Sequence, residues 1–104
     1  MSEFKFFKTP NELKDNSNEM KVRCIINAIE NRLDKNQKDY WIIRIQLDQF
    51  THKSYLAFSG DYNLSPKAKS LLVNYSEKLV NHWAVLTIER KEDKEKVIEI
   101  NLEK

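Results

Sequence analysis

Aromatic and basic side chains alternate with apolar ones in the middle of the chain, and this spacing suits contact with an extended polymer. Successive residues of a β-strand point to opposite faces of the sheet. In the first of two such runs, Trp41 and three aliphatic residues share one face, whereas Tyr40 and Arg44 lie on the other. In the second run, the pattern predicts that Phe58 enters the core and that Tyr55 lies on the polar face. Tyrosines stack on nucleobases and basic side chains bind phosphates, so this face is typical of a nucleic-acid-binding surface.

Two alternatives stay open for these side chains. Tyrosine is favoured in strands for packing alone, so Tyr40 and Tyr55 can be ordinary strand residues without a ligand. A shift of the strand register by one residue would also exchange the two faces and move every side chain of that strand.

Five strands and one helix must hold this face in place. The alternation of apolar residues predicts strands over about 21–31, 40–49, 53–59, 83–90 and 96–102. Ser65-Pro66 is a helix-start signal, a capping hydroxyl before a proline, and the helix is predicted to run to about Asn81. Three strands, a helix and two strands is the element order of the OB-fold, a mainly β, five-stranded Greek-key barrel. An open α+β sheet with one helix packed across it is the alternative fold.

The last two strands are joined by a charged turn, Lys91–Glu95, and the stretch Arg90–Lys96 is predicted to be a solvated hairpin tip. As an alternative, Arg90 and Lys91 flank a strand-binding groove. In the strand that follows, alternation predicts that Ile98, Ile100 and Leu102 point inward. The same alternation predicts that Val97 points outward.

The first nineteen residues are expected to form an arm, so that the predicted boundaries are 1–19 for the arm and 20–104 for the OB-fold domain. Within the arm, Thr9-Pro10 predicts a short helix over about 10–15. Three aromatic residues of the arm could pack it onto the body or dock a protein partner: Phe4, Phe6 and Phe7.

Composition narrows the function classes. The 104 residues include 18 Lys+Arg and 16 Asp+Glu, and a net charge of +2 does not by itself argue for nucleic acid. The basic excess lies on residues 20–60, with seven basic and four acidic side chains. A single glycine, Gly60, argues against a glycine-rich phosphate loop. The amino terminus is too short and too charged for a signal peptide, and no apolar run approaches the ~20 residues that span a bilayer, so a cytoplasmic protein is expected.

Catalysis, metal binding and a cofactor are not expected. His52 and His82 are the only histidines, and neither has a partner at metal-ligand spacing. The single cysteine, Cys24, excludes an internal disulfide. Because Cys24 alternates with apolar neighbours, it is predicted to be a small buried hydrophobe rather than a nucleophile.

Over about residues 21–102 the chain resembles small OB-fold single-stranded-DNA-binding proteins. The resemblance is carried by the run Tyr40–Leu47, the aromatic strand Tyr55–Phe58, the Ser65-Pro66 helix start and the two closing strands. The composition, rich in Asn, Lys and Ile, looks like that of proteins encoded beside replication genes on cassette-type mobile elements of low-GC Gram-positive bacteria. Many bacterial members carry a glycine-rich, acidic-tipped tail for partner docking. This sequence ends at Lys104 directly after the fifth predicted strand, so that mode of recruitment is not expected.

The resemblance implies binding of single-stranded DNA during replication, with little base specificity. In an OB-fold the ligand crosses the outer face of strands two and three, between the loops that join strands one and two and strands four and five. The residues expected to bind the strand are Arg23, Lys35, Lys38, Tyr40, Arg44, Lys53 and Tyr55. The alternative function is a non-catalytic accessory subunit that binds a replicative polymerase, primase or helicase of the same element. Its contacts would come from Phe4, Phe6 and Phe7 or from the exposed face of the helix. A structural interaction domain without a nucleic-acid role is the second alternative.

Overall fold

Five strands close into a barrel, and two short helices lie between the third and fourth strands. The computed structural model describes residues 19–103. The strands are β1 (Glu19–Leu33), β2 (Asp39–Gln46), β3 (His52–Phe58), β4 (Trp83–Lys91) and β5 (Lys94–Leu102). The helices are α1 (Pro66–Asn74) and α2 (Ser76–Leu79). Neighbouring strands follow the order β1-β2-β3-β5-β4, and β4 pairs again with β1.

This closed topology confirms the predicted OB-fold and excludes the open α+β sheet. An open sheet has two edge strands with one neighbour each, whereas here β1 pairs with both β2 and β4, and β3 pairs with both β2 and β5. The predicted arm helix over residues 10–15 lies outside the described residues. Within residues 19–103, no helix is long and apolar enough to cross a membrane.

β1 is long enough to belong to both sides of the barrel. Its first half pairs with β4 as far as Ile25, which lies opposite Trp83, and its second half pairs with β2. The β1–β2 register shifts between Ile26 and Ala28, as it does at a β-bulge. Because a bulge bends its strand and increases the local twist, β1 can turn from one partner to the other.

The packing of β3 against β2 corrects the predicted orientation of β3. Trp41 is buried, as predicted, and lies directly opposite Ala57. Opposite residues of an antiparallel pair share a face, so Ala57 and Tyr55, two residues earlier, also point inward. Tyr55 is 3% exposed, whereas Phe58 lies on the outer side, so both predicted orientations are wrong. The physical reason is complementary size, because small Ala57 leaves room in the barrel for the indole of Trp41.

The helical segment begins where predicted but ends earlier. The Ser65 hydroxyl accepts a hydrogen bond from the backbone N–H of Ala68 at 3.0 Å, which caps α1. The single long helix that was predicted is interrupted at Tyr75, whose backbone is not helical at φ −135° and ψ 23°. The break still allows Leu72 of α1 and Leu79 of α2 to join the core.

A register shift between β4 and β5 changes which side chains of β5 point into the core. The β4–β5 register shifts between Thr87 and Ile88, and Val97 and Ile98 are both buried. The inward orientation of Ile100 is confirmed. The outward orientation predicted for Val97 is wrong because the shift changes the alternation within the strand.

Candidate nucleic-acid interface

The β2–β3 outer face is the solvent side of these two strands together with the adjoining part of β1. Three cross-strand pairs line it: Tyr40 with Phe58, Ile42 with Leu56, and Arg44 with Ser54. On β1, Arg32 lies opposite Tyr40 and Glu30 lies opposite Ile42. The face therefore has an aromatic end, an apolar middle and a polar end.

Tyr40 and Phe58 form the aromatic end. Their ring centroids are 5.8 Å apart and their planes differ by 28°, which is a stacked arrangement. Both side chains are half-buried, so the sheet supports each ring while part of its surface stays in solvent. Such a pair contributes about 0.5–1.5 kcal/mol beyond the burial of its area. The pair is a preorganised platform on which a planar base can stack.

The turn between β1 and β2 holds two lysines beside this aromatic end. The Asp34 carboxylate accepts hydrogen bonds from the backbone N–H groups of Asn36 and Lys38 at 2.7 and 3.0 Å, which fixes the turn. The Lys38 side chain passes Gly60 in the loop after β3, where a Cβ would lie 3.5 Å from Lys38 Cδ. Lys35 and Lys38 are both exposed, and Lys38 lies at the same end of the face as Tyr40.

The turn between β4 and β5 brings further lysines to the other side of the aromatic end. Phe58, Lys91, Glu92, Lys94 and Lys96 line an open cleft of about 420 Å³. Lys96 is held between two carboxylates, at 3.1 and 3.6 Å. Neither Lys91 nor Lys94 forms an ion pair with another residue in the range 19–103. These two ammonium groups are therefore the cations of this cleft that can best meet a phosphate.

Two arginines of the face are held by one glutamate. Glu30 Oε2 accepts a hydrogen bond from Arg32 Nε at 2.7 Å, and Oε1 accepts one from Arg44 Nη1 at 3.1 Å. The bond from Arg32 is the main reason that the pKa of Glu30 lies below its usual value, and the same contact raises the pKa of Arg32. The side chains of Arg32 and Arg44 remain 52% and 50% exposed. Arg44 thus lies on the predicted face, already paired with a carboxylate.

A second cleft, of about 390 Å³, lies at the polar end of the face. It is lined by Asn27, Ala28, Arg44, Ile45, His52, Lys53 and Ser54. The amide of Asn27, the guanidinium of Arg44 and the hydroxyl of Ser54 are hydrogen-bond donors, which suit an anion. Along β2, Tyr40 and Arg44 are separated by about 13 Å at ~3.3 Å per residue. The β2–β3 outer face is therefore long enough for aromatic and phosphate contacts with the same extended chain.

Lys53 and Tyr55 are on the inward side of β3, where they lie opposite Ile45 and Ile43. The Lys53 ammonium is 5.0 Å from the Tyr55 ring centroid and 3.3 Å from Glu95. Its hydrogen bonds, first with Tyr55 and then with Glu95, raise the pKa of Lys53. The ring of Tyr55 belongs to the core, so the structure does not bring it to the outer face where it was predicted to stack on a base. Lys53 is partly exposed, but its ammonium is directed toward Glu95 and the Tyr55 ring.

Arg23 is not brought to the β2–β3 outer face. It lies on the half of β1 that pairs with β4, opposite Val85, so the structure does not bring it together with Tyr40. Its guanidinium stacks over the Trp83 ring at 4.2 Å and forms an ion pair with Glu103 at 2.7 Å. Trp83 is 37% exposed and borders a separate hollow of about 400 Å³ together with Ile25 and Leu47.

Three parts of this face were not evident from the sequence. The sequence predicts a core position for Phe58 because both faces of β3 carry apolar residues. Arg32 is not among the predicted binding residues because it lies beyond the predicted end of β1, at about residue 31. The two-residue spacing of Glu30 and Arg32 does, however, indicate that they share an outward, charged face of the strand. In the turn between β4 and β5, the sequence offers Lys91 only as an alternative flank of a strand-binding groove, and Lys94 is not distinguished within a stretch of mixed charge. Phe4, Phe6 and Phe7, the predicted partner-binding residues, lie outside the described part of the chain.

Among residues 19–103, no group of three or more His, Cys, Asp or Glu side chains is arranged to hold a metal ion. Cys24 is fully buried, as predicted, and burial raises the pKa of its thiol to about 11. The thiol is therefore neutral near pH 7 and acts as a packing group.

Comparison of the chain with protein-family models, curated proteins and solved structures found no match. The barrel and the geometry of its outer face are therefore the basis for a functional assignment.

Proposed function

We propose that this protein binds single-stranded DNA across the β2–β3 outer face, with little base specificity. The observation that carries the proposal is the stacked, partly exposed pair of Tyr40 and Phe58, which has exposed lysines from two turns on either side. Aromatic rings accept any base because every base has a π-face, and lysines bind phosphates without reading sequence.

The expected affinity follows from these contacts. A base stacked on an aromatic side chain contributes about 1–3 kcal/mol, so two successive bases, one on each ring, contribute about 2–6 kcal/mol. Phosphate contacts add to this, and a micromolar dissociation constant corresponds to about 8 kcal/mol. Micromolar binding at low salt is therefore expected.

The lysines determine the expected salt dependence. Lys35, Lys38, Lys91 and Lys94 are exposed at the aromatic end of the face. If each neutralises one phosphate, the logarithm of the affinity should fall with the logarithm of salt concentration with a slope of about −3, at ~−0.7 per contact.

The biological setting that we propose is replication of a mobile element in a bacterial cytoplasm. It rests on the resemblance of the sequence to small single-stranded-DNA-binding proteins. There the protein would cover unwound strands and keep them accessible to replication enzymes.

Fluorescence anisotropy with labelled single-stranded oligonucleotides, at 50 and 200 mM salt, tests the proposal. Tyr40→Ala and Phe58→Ala should each weaken binding about 5- to 150-fold, the equivalent of ~1–3 kcal/mol. Tyr75→Ala is the matched control, because Tyr75 is 46% exposed at the junction of α1 and α2, away from β2 and β3. The proposal fails if no oligonucleotide binds at low salt, or if Phe58→Ala binds as well as the control.

A second candidate function, an accessory subunit of a replicative polymerase, primase or helicase, is favoured by a different observation. Trp83 and Phe50 are 37% and 88% exposed, and Trp83 borders the hollow next to Ile25 and Leu47. Exposed aromatic residues are common at protein interfaces. Co-elution with the purified helicase or polymerase of the source organism, lost in Trp83→Ala but retained in Phe58→Ala, would support this function.

A further inference from the structure

On the β2–β3 outer face, the carboxylate of Glu30 on β1 accepts hydrogen bonds from both Arg32 and Arg44. We propose that Glu30 is a built-in competitor of backbone phosphate, which regulates how strongly and with what salt dependence this face binds single-stranded DNA. The inference rests on the proposed function and adds a regulatory residue to it.

The geometry places Glu30 where a phosphate would bind. Its two oxygens are used separately: Oε2 contacts Arg32 at 2.6 and 2.7 Å, and Oε1 contacts Arg44 at 3.1 Å. A guanidinium presents the same fork of N–H donors to a carboxylate and to a phosphate. A phosphate that binds Arg32 or Arg44 through these donors must therefore displace a Glu30 oxygen.

The exposure of the three side chains allows this exchange. The arginine side chains are about half exposed and that of Glu30 is 35% exposed, so the pairs are in contact with solvent. Exposed ion pairs are weak and are screened by salt. The depressed pKa of Glu30 keeps the carboxylate charged at neutral pH, so the competition persists under the conditions of binding.

The competition also changes the number of counterions released on binding. An arginine that stays paired with Glu30 neutralises no phosphate, so it releases no counterion from the DNA. Glu30→Gln keeps the size of the side chain but removes the charge, so both arginines become available to phosphates. Two additional phosphate contacts would steepen the salt slope by about 1.4, at ~0.7 per contact with a single strand.

The test is an anisotropy titration of wild type and E30Q with an oligothymidylate of fixed length at 50, 100 and 200 mM salt. E30Q should bind more tightly than wild type, and its advantage should grow about 7-fold between 200 and 50 mM salt, as a slope difference of ~1.4 requires. E103Q is the matched control because it removes the same charge and also releases an arginine, Arg23, away from the face. E30A repeats the release with a shorter side chain, and thermal melts establish that each variant is folded.

A second set of variants links the effect to the arginines. In the background R32A/R44A, adding E30Q should leave the affinity unchanged beyond the effect of E103Q in the same background. A gain that persists there would overturn the inference, because the charge would then act without the two arginines.

The possible results separate the inference from the proposed function. If wild type binds but E30Q binds no better than E103Q, the inference is wrong and the proposed function stands. Weaker binding by E30Q also overturns it, since Glu30 would then position the arginines for phosphate rather than compete. If neither wild type nor E30Q binds at 50 mM salt, the proposed function itself is wrong.

Discussion

Tyr55→Ala tests the inward orientation of β3, on which the composition of the β2–β3 outer face depends. Tyr55 is 3% exposed, lies opposite Ile43 on β2, and has the Lys53 ammonium 5.0 Å from its ring centroid. The substitution removes this ring and leaves a void in the core. Tyr62→Ala is the matched control, because it removes the same atoms from a side chain that is fully exposed in the loop after β3.

The expected loss of stability is large for one tyrosine and small for the other. Truncation of a buried aromatic residue to alanine lowers the free energy of unfolding by about 3–5 kcal/mol. At a urea slope of about 1.5 kcal/mol per molar, the midpoint falls by roughly 2–3 M. An exposed residue without special contacts changes the free energy by less than about 0.5 kcal/mol, so the control should retain the wild-type midpoint. Because small domains have only about 5–15 kcal/mol in total, Tyr55→Ala will be close to unfolding.

Urea unfolding followed by tryptophan fluorescence and circular dichroism measures both variants on the same scale. Equal midpoints for Tyr55→Ala and Tyr62→Ala would refute the orientation of β3. Phe58 would then be the core residue, and the aromatic platform with Tyr40 would not exist. Phe58→Ala should be destabilising by less than Tyr55→Ala, since its ring is only half-buried.

Three further predictions concern chemistry and stability away from the platform. The thiol of Cys24, with its pKa raised to about 11 by burial, should not react with Ellman's reagent at pH 8 until the protein unfolds, and rapid reaction of the native protein would contradict its burial. Glu92 and Asp93 have φ values of 52° and 65°, and a positive φ costs a non-glycine residue about 1–2 kcal/mol. The double variant Glu92→Asn with Asp93→Gly should therefore raise the free energy of unfolding by roughly 1–2 kcal/mol. An unchanged melting temperature would argue against strain in this turn. Arginine hydrogen bonds hold the pKa of Glu30 and of Glu95 below the ordinary value of 4.5, so their contribution to stability is present above pH 4.5 and is lost as the pH falls through the lowered values. Urea midpoints at pH 7 and pH 3 measure this loss, and it should shrink when both glutamates are replaced by glutamine.

The barrel could be predicted from local signals. Alternation of apolar residues indicates strands, and Ser65-Pro66 marks the start of the helix that separates the third strand from the fourth. Since the OB-fold has this order of elements, the strand neighbours followed without knowledge of any contact. The closure of β1 on β4 depends on the bulge near Asn27, which no sequence signal marked.

The orientation of β3 could not be predicted in the same way. Tyr55 and Ala57 lie on one face of this strand, and Leu56 and Phe58 lie on the other. Because both faces carry apolar residues, alternation alone does not show which face points into the core. The choice depends on β2, because bulky Trp41 requires a small residue opposite it. This information is contained in the pairing between two strands and not in the pattern of either strand alone.

The candidate site was predicted in part for the same reason. The sequence predicts the outward position of Tyr40 and Arg44 because only the other face of their strand is apolar throughout. The contact of Glu30 with two arginines depends on the register between β1 and β2, which sequence spacing does not specify. Likewise, Lys91 and Lys94 come close to Phe58 only through the pairing of β3 with β5.

Binding of single-stranded DNA by the β2–β3 outer face is tested most directly by amide NMR. The ¹⁵N-labelled protein is titrated with an unlabelled oligothymidylate at low salt, and the shifted amides are mapped onto the barrel. The largest shifts should cluster at Tyr40, Phe58 and the turn around Lys91 and Lys94, with little change at Trp83. The absence of any shift, or shifts centred on Trp83 and its neighbours, would contradict strand binding at this face.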